Sequence, residues 1–270
     1  MSRSTGVSVV LLAALLAGCG AGRTGGGSDH SGGPGAPDRL RAEVLQVLPH
    51  DPSAFTQGLE LVDGTLYEGT GLEGHSTLRE VDPATGAVRR QTALPRDLFG
   101  EGITAVGPTI WQLTWQEGVA IQRDRGTLAE LRRVSYPGEG WGLCHDTAAG
   151  RLVMSDGTDR LTFRDPQTFE PAGEVRVSAG GTAVSKINEL ECAHGAVFAN
   201  IWQTDTVVRI DPGSGRVTAR IDLAGLLPPA DRANTDVLNG IAAIPGTDEF
   251  LVTGKYWPKM FRVRFVPAPT

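Results

Sequence analysis

From residue 40 onward, short apolar runs alternate with polar positions and are cut at close intervals by Gly, Asn or Asp-Pro, the pattern of strands and tight turns. No long stretch keeps a helical period. One short motif recurs: a polar or aromatic residue, a small or polar one, then Leu or Ile opening a strand. It reads Gln57-Gly-Leu, Glu101-Gly-Ile, Trp141-Gly-Leu, Asn188-Glu-Leu and Asn239-Gly-Ile, at intervals of 44, 40, 47 and 51 residues. That spacing is close to the length of a four-stranded propeller blade. A second apolar run follows each motif, at 65–67, 109–113, 151–154, 196–201 and 249–252. A third then enters a turn, at Asp82-Pro-Ala-Thr-Gly86, Arg123-Asp-Arg-Gly126, Asp165-Pro and Asp211-Pro-Gly-Ser-Gly215, and a fourth strand leaves it. The fifth repeat ends at 260–265, one strand short, while Leu40 to Leu48 stands unassigned ahead of the first. The pattern therefore predicts an all-β chain: a five-bladed β-propeller over residues 38–270, closed by an N-terminal strand that completes the last blade. A β-sandwich would require five phased repeats and a complementary terminus to coincide by accident.

On that fold, equivalent positions of successive blades surround one axis. The five leading residues, Gln57, Glu101, Trp141, Asn188 and Asn239, are expected to form a ring at one mouth of the channel. A second set follows where the next strand ends: Trp115 and Trp202, each fourteen residues after its leading residue, and Lys255, sixteen after Asn239. Trp111 and Trp257 are expected to be packing residues. Glu101 stands between Gly100 and Gly102 with large aromatics near, a setting in which burial raises a carboxyl pKa. Taken alone, the same stretch also reads as a solvated turn glutamate beside two core tryptophans. The leading residues differ from repeat to repeat where pure scaffolding would repeat itself, and this favours a ligand site.

Composition narrows the setting. Thirty-six glycines and 17 prolines suit a turn-rich β chain. A formal charge of −6 with no basic cluster argues against nucleic acid. Arg3 and the apolar run from Val7 to Leu16 form a targeting segment too short to span a bilayer. It ends in Leu16-Ala17-Gly18-Cys19, which resembles a bacterial lipobox. Residues 1–19 are therefore expected to be a lipoprotein signal peptide with Cys19 lipidated, and the Gly/Ser/Pro-rich stretch 20–37 a flexible tether. The protein is then expected outside the cytoplasmic membrane, anchored to its outer face. The ordinary secretory signal with a chance Cys is the alternative. Cys144 and Cys192 lack Cys-x-x-Cys spacing, and the sequence leaves open whether they pair or stand as buried thiols. The five histidines show no zinc-motif spacing, so no metal is expected.

A longer series of segments carries a family resemblance. Phe55-Thr-Gln-Gly-Leu59, Phe99-Gly-Glu-Gly-Ile103, Gln112-Leu-Thr-Trp115 and Gly140-Trp-Gly-Leu143 are followed by Ser155-Asp-Gly157 and Asn188-Glu-Leu-Glu191. Ala199-Asn-Ile-Trp-Gln203, Val237-Leu-Asn-Gly-Ile241 and Thr253-Gly-Lys-Tyr-Trp-Pro258 complete the series. In this order and spacing they resemble the plant and bacterial glutaminyl-peptide cyclotransferases, which are five-bladed propellers. The resemblance implies conversion of an N-terminal glutamine of peptides to pyroglutamate with release of ammonia. It assigns catalysis to Glu101 and places Phe55, Gln57, Phe99, Trp115, Trp141, Asn188, Trp202 and Lys255 around the substrate, without cofactor. Cys144, Cys192 and Tyr256 depart from the family's usual residues, at positions expected to lie clear of the site.

The chemistry suits these residues. Ring closure needs a neutral α-amine and a proton for the departing amide nitrogen, and one carboxyl with a raised pKa can take and return that proton. Asn188, Gln57, Lys255 or an indole N–H are candidates to hold the developing oxyanion. The competing reading is a non-catalytic tethered propeller whose aromatic mouth binds a peptide or sugar. A closed ring needs no partner subunit, so a monomer is expected.

Overall fold

The computed structural model describes residues 35–269. The expected leader, with Cys19, and all but the end of the expected tether lie outside the described residues. Apart from one 3-10 turn at Pro229–Asp231, the regular structure of the described chain is all strand. The strands are β1 (Asp38–Pro49), β2 (Thr56–Val62), β3 (Thr65–Thr70), β4 (Thr77–Val81), β5 (Val88–Ala93), β6 (Gly100–Val106), β7 (Thr109–Thr114) and β8 (Val119–Asp124). Next come β9 (Glu130–Ser135), β10 (Leu143–Asp146), β11 (Arg151–Ser155), β12 (Arg160–Arg164), β13 (Pro171–Arg176) and a short hairpin of β14 (Ser178–Ala179) and β15 (Thr182–Ala183). The chain ends with β16 (Ile187–Ala193), β17 (Ala196–Ile201), β18 (Thr206–Ile210), β19 (Val217–Asp222), β20 (Leu238–Ala243), β21 (Glu249–Gly254) and β22 (Lys259–Pro267).

Strands β2–β5, β6–β9 and β10–β13 make three four-stranded antiparallel meanders. Strands β16–β19 make a fourth, whereas β20–β22 supply only three strands. The N-terminal β1 lies antiparallel to β22, with Leu40 opposite Pro267 and Pro49 opposite Lys259. Its other edge pairs in parallel with β19 from Asp38–Ala219 to Arg41–Asp222, merging the last two sets into one eight-stranded sheet. One strand thus covers two edges that would otherwise expose unpaired backbone.

The first strands of successive sets touch in a cycle: β2 lies against β6, β6 against β10, β10 against β16, β16 against β20, and β20 against β2. The motif glycines make this approach possible. A Cβ on Gly58 would fall 2.6 Å from the Ile103 nitrogen, one on Gly102 2.7 Å from the Leu143 nitrogen, and one on Gly142 2.1 Å from the Asn188 carbonyl oxygen. Apolar side chains fill the spaces between neighbouring sets, for example Val153, Phe163, Val197 and Val208, or Trp111, Leu113, Leu143 and Leu152. Cys144 on β10 and Cys192 on β16 form a disulfide with Cα atoms 5.4 Å apart, which settles the pairing that the sequence left open.

Candidate active site

The leading residues sit where the inner strands break register. Pairing skips Gln57 between Thr56 and Gly58 on β2, and breaks between Gly100 and Ile103 on β6, Ile187 and Leu190 on β16, and Leu238 and Ile241 on β20. Such irregularities re-aim a side chain that a regular ladder would point into the sheet packing. Trp141 stands just before β10. Its N–H donates to the Ser155 carbonyl at 3.0 Å, and its own carbonyl accepts the Gly102 N–H at 2.8 Å. The residue one past the second strand of a set supplies the next tier: Trp115 after β7, Trp202 after β17 and Lys255 after β21.

The nine residues that the family resemblance assigns to the site line one cavity of about 410 Å³: Glu101, with Phe55, Gln57, Phe99, Trp115, Trp141, Asn188, Trp202 and Lys255. The aromatic rings meet edge-on. Phe55 and Phe99 centroids lie 6.1 Å apart, Phe99 and Trp115 5.6 Å, and Trp141 and Trp202 5.5 Å. Gly71, one past β3, leaves the space these rings need, since a Cβ there would fall 2.4 Å from the Phe99 ring.

Glu101 is 4% exposed. Its Oε1 accepts the Gln57 amide N–H at 2.8 Å, while Oε2 is buried with no hydrogen-bond partner among the described residues. Burial drives its pKa well above the ordinary glutamate value. The Lys255 ammonium opposes that rise, and the Glu117 and Glu139 charges add to it. Lys255 is pushed the other way: burial lowers its pKa against the Glu101 and Asp236 charges. Its Nζ lies 4.5 Å from the centre of the Phe55 ring. Burial thus presses both groups toward their neutral forms.

Two expectations need correction. Asn239 is fully buried and does not line the cavity. It lies beneath it, donating to the Thr56 carbonyl at 2.9 Å and to Gln57 Oε1 at 3.3 Å, which turns the Gln57 N–H toward Glu101. The fifth set reaches the cavity through Lys255, Asp236 and Val237 instead. Tyr256, expected clear of the site, packs on Phe55 with centroids 5.2 Å apart. Trp111 and Trp257 are packing residues as expected. The Trp111 indole donates to the Pro166 carbonyl and the Trp257 indole to the Asp236 carbonyl, each at 2.9 Å.

Gln203, Asp236 and Val237 also line the cavity and were missed. Gln203 and Val237 stand at the ends of motif segments quoted above, which was the available signal. Asp236 had only its adjacency to Val237.

A half-bonded, buried carboxyl in an aromatic chamber, at the inner strands of a set of β-meanders, makes this an all-β protein with a small-ligand pocket. Comparison with known proteins gives that class a family: the model described as glutamine cyclotransferase matches residues 11–265. A glutaminyl-peptide cyclotransferase of Arabidopsis thaliana is 39% identical over 232 residues, covering 84% of this chain and 72% of the plant protein. The crystal structure of Myxococcus xanthus glutaminyl cyclase superposes with a TM-score of 0.80 at 39% identity, covering 86% of this chain and all of that one. The chain belongs to the glutamine cyclotransferase family.

Proposed function

We propose that this chamber cyclises the N-terminal glutamine of peptides and proteins to pyroglutamate. The α-amino nitrogen attacks its own side-chain carbonyl carbon, a C–N bond forms, the bond to the amide nitrogen breaks, and that nitrogen leaves as ammonia carrying the proton shed by the amine. Glu101 Oε2 takes this proton and hands it on. The observation that carries the reading is this oxygen: buried, unpartnered and on a carboxyl with a raised pKa, while Gln57 holds its neighbour in place. Asn188 and Lys255 line the chamber and are the side chains we assign to the developing oxyanion, while the aromatic walls would keep the glutamine curled against its amine. No step as written calls for a metal, and dialysis against EDTA is expected to leave turnover unchanged.

Five blades of one closed propeller are the fold this function would use, a reading supported by the cycle of inner-strand contacts and by the union of β1 with β22. A monomer anchored outside the membrane through Cys19 is the matching placement. Cys19→Ser is expected to move the protein from the membrane to the soluble fraction; unchanged membrane retention counts against the anchor. The direct test of the function is mass spectrometry of a Gln-initiated peptide incubated with the purified protein. Loss of ammonia from the peptide is expected, and a peptide that is bound but recovered unchanged would leave only a binding protein.

A further inference from the structure

Packing alone does not hold two of the chamber's tryptophans. Glu139, on the connection between β9 and β10, accepts both indole N–H groups on its Oε2, from Trp115 Nε1 at 2.9 Å and from Trp141 Nε1 at 2.9 Å. Its Oε1 accepts the Gln116 amide N–H, also at 2.9 Å. Burial alone would raise the Glu139 pKa, but the bonds from Trp141, Gln116 and Trp115 outweigh it and bring the pKa below the ordinary value, so the group is ionised at neutral pH. The connection is itself firmly set. The Gly140 N–H donates to the Trp115 carbonyl at 2.9 Å, and the Tyr136 hydroxyl donates to the Thr114 carbonyl. A Cβ at Gly140 would fall 2.2 Å from that hydroxyl oxygen, so only glycine fits the bend.

The two indoles come from different sets of strands, Trp115 from the end of β7 and Trp141 from the approach to β10. Each begins an edge-on pair, Trp115 with Phe99 and Trp141 with Trp202. A single carboxylate therefore orients two of the chamber's aromatic pairs. An indole otherwise turns about two side-chain bonds; with its one polar atom anchored, that freedom is gone. Glu139 itself is not among the residues lining the chamber.

We propose that Glu139 is a positioning residue that clamps the Trp115 and Trp141 rings into a preformed wall, against which the flexible glutamine side chain is folded for attack. The inference rests on the cyclisation proposed above. An open-chain glutamine samples many conformers, few of which bring its carbonyl to its amine, and a rigid surface selects among them. Its loss should fall on kcat as well as on KM.

The test compares Glu139→Ala, Glu139→Gln and Glu139→Asp in the purified full chain, each checked for folding by circular dichroism. The readouts are kcat and KM for a Gln-initiated peptide, and acrylamide quenching of tryptophan fluorescence. Glu139→Ala is expected to lower kcat roughly 10-fold or more and to increase quenching, in line with the cost of misplacing bound reactants. Glu139→Gln keeps an acceptor oxygen and is expected to restore most of both. Glu139→Asp keeps the charge but withdraws it by one methylene, so it is expected to behave like the alanine variant, and it serves in its place if that variant does not fold. The proposal is overturned if Glu139→Asp matches the wild type in kcat and quenching, because the charge would then suffice wherever it sits. It is overturned equally if Glu139→Gln loses as much kcat as Glu139→Asp while quenching stays unchanged in both, because the rings would then be held without the residue. If the wild type releases no ammonia, the cyclisation reading fails by itself, while the quenching comparison still decides whether the clamp exists.

Discussion

Glu101 and Glu189 are both buried glutamates near the starts of inner strands, and burial raises the pKa of each well above the ordinary value. Their partners differ. Glu189 occupies the motif position that is glycine in the other four repeats. Its Oε1 accepts the Leu59 N–H at 3.2 Å and its Oε2 the Ile241 N–H at 2.9 Å, so it ties β16 to β2 and β20. Glu101 gives one oxygen to Gln57 and keeps the other free in a chamber that can admit a ligand. A shifted pKa is thus common to a structural tie and to the carboxyl proposed above as the proton carrier. The unspent oxygen and the adjoining space distinguish them.

Exchanging the two roles by mutation gives the largest expected effects. Glu101→Gln is expected to lower ammonia release by roughly 10²–10⁴-fold, the usual worth of positioned proton transfer, with the circular dichroism spectrum unchanged. A variant that retains turnover would remove Glu101 from the mechanism. Glu189→Ala should do the reverse. It orphans two buried backbone N–H groups, at about 1–3 kcal/mol each, visible in denaturant unfolding, while the folded fraction keeps its turnover. A stability left unchanged by Glu189→Ala would erase the contrast.

Smaller effects sharpen it. The Cys144–Cys192 bridge closes a 48-residue separation and ends on β16, the strand that carries Glu189. Its removal by paired serine substitution is expected to cost about 2–4 kcal/mol in unfolding free energy and to spare the chemistry of the chamber. The smallest effect is in the pH dependence of stability. Because the folded-state pKa of Glu101 lies above its unfolded value, its contribution to stability is full below the ordinary glutamate range and is lost as pH rises through the folded value. Glu101→Gln carries no such proton and should flatten the decline of Tm over that interval. In the wild type, the acid limb of turnover is expected above the ordinary glutamate range, since Glu101 acts as a base only when ionised.

The repeats were legible because their cause is local. Inner strands that touch around a cycle favour a bare backbone after the leading residue, and Gly58, Gly102, Gly142 and Gly240 print that preference in four of the five repeats. The strand β1 was legible for a similar reason, as an apolar run that belonged to none of the repeats while the fifth repeat lacked one strand. Depth was not legible. Asn239 occupies the same motif position as Gln57 and Glu101, and nothing in the pattern says that its amide turns down to brace Gln57 and leaves the cavity wall to others. Asp236 and Val237 follow an aperiodic connection, and Glu139 acts across two sets of strands, so no spacing within one repeat could reveal them. The disulfide depended on a distance in space that the cysteine spacing does not contain.

Among the described residues the first strand is bound to the last: Asp38–Pro49 finds its antiparallel partner only in Lys259–Pro267. A nascent chain can complete its earlier meanders as they emerge, yet β1 gains its parallel neighbour only when β19 has been made and its antiparallel one only when β22 has. Premature termination upstream of residue 259 would leave at least the β22-facing edge of β1 open to other chains, which makes truncated products of this protein candidates for aggregation.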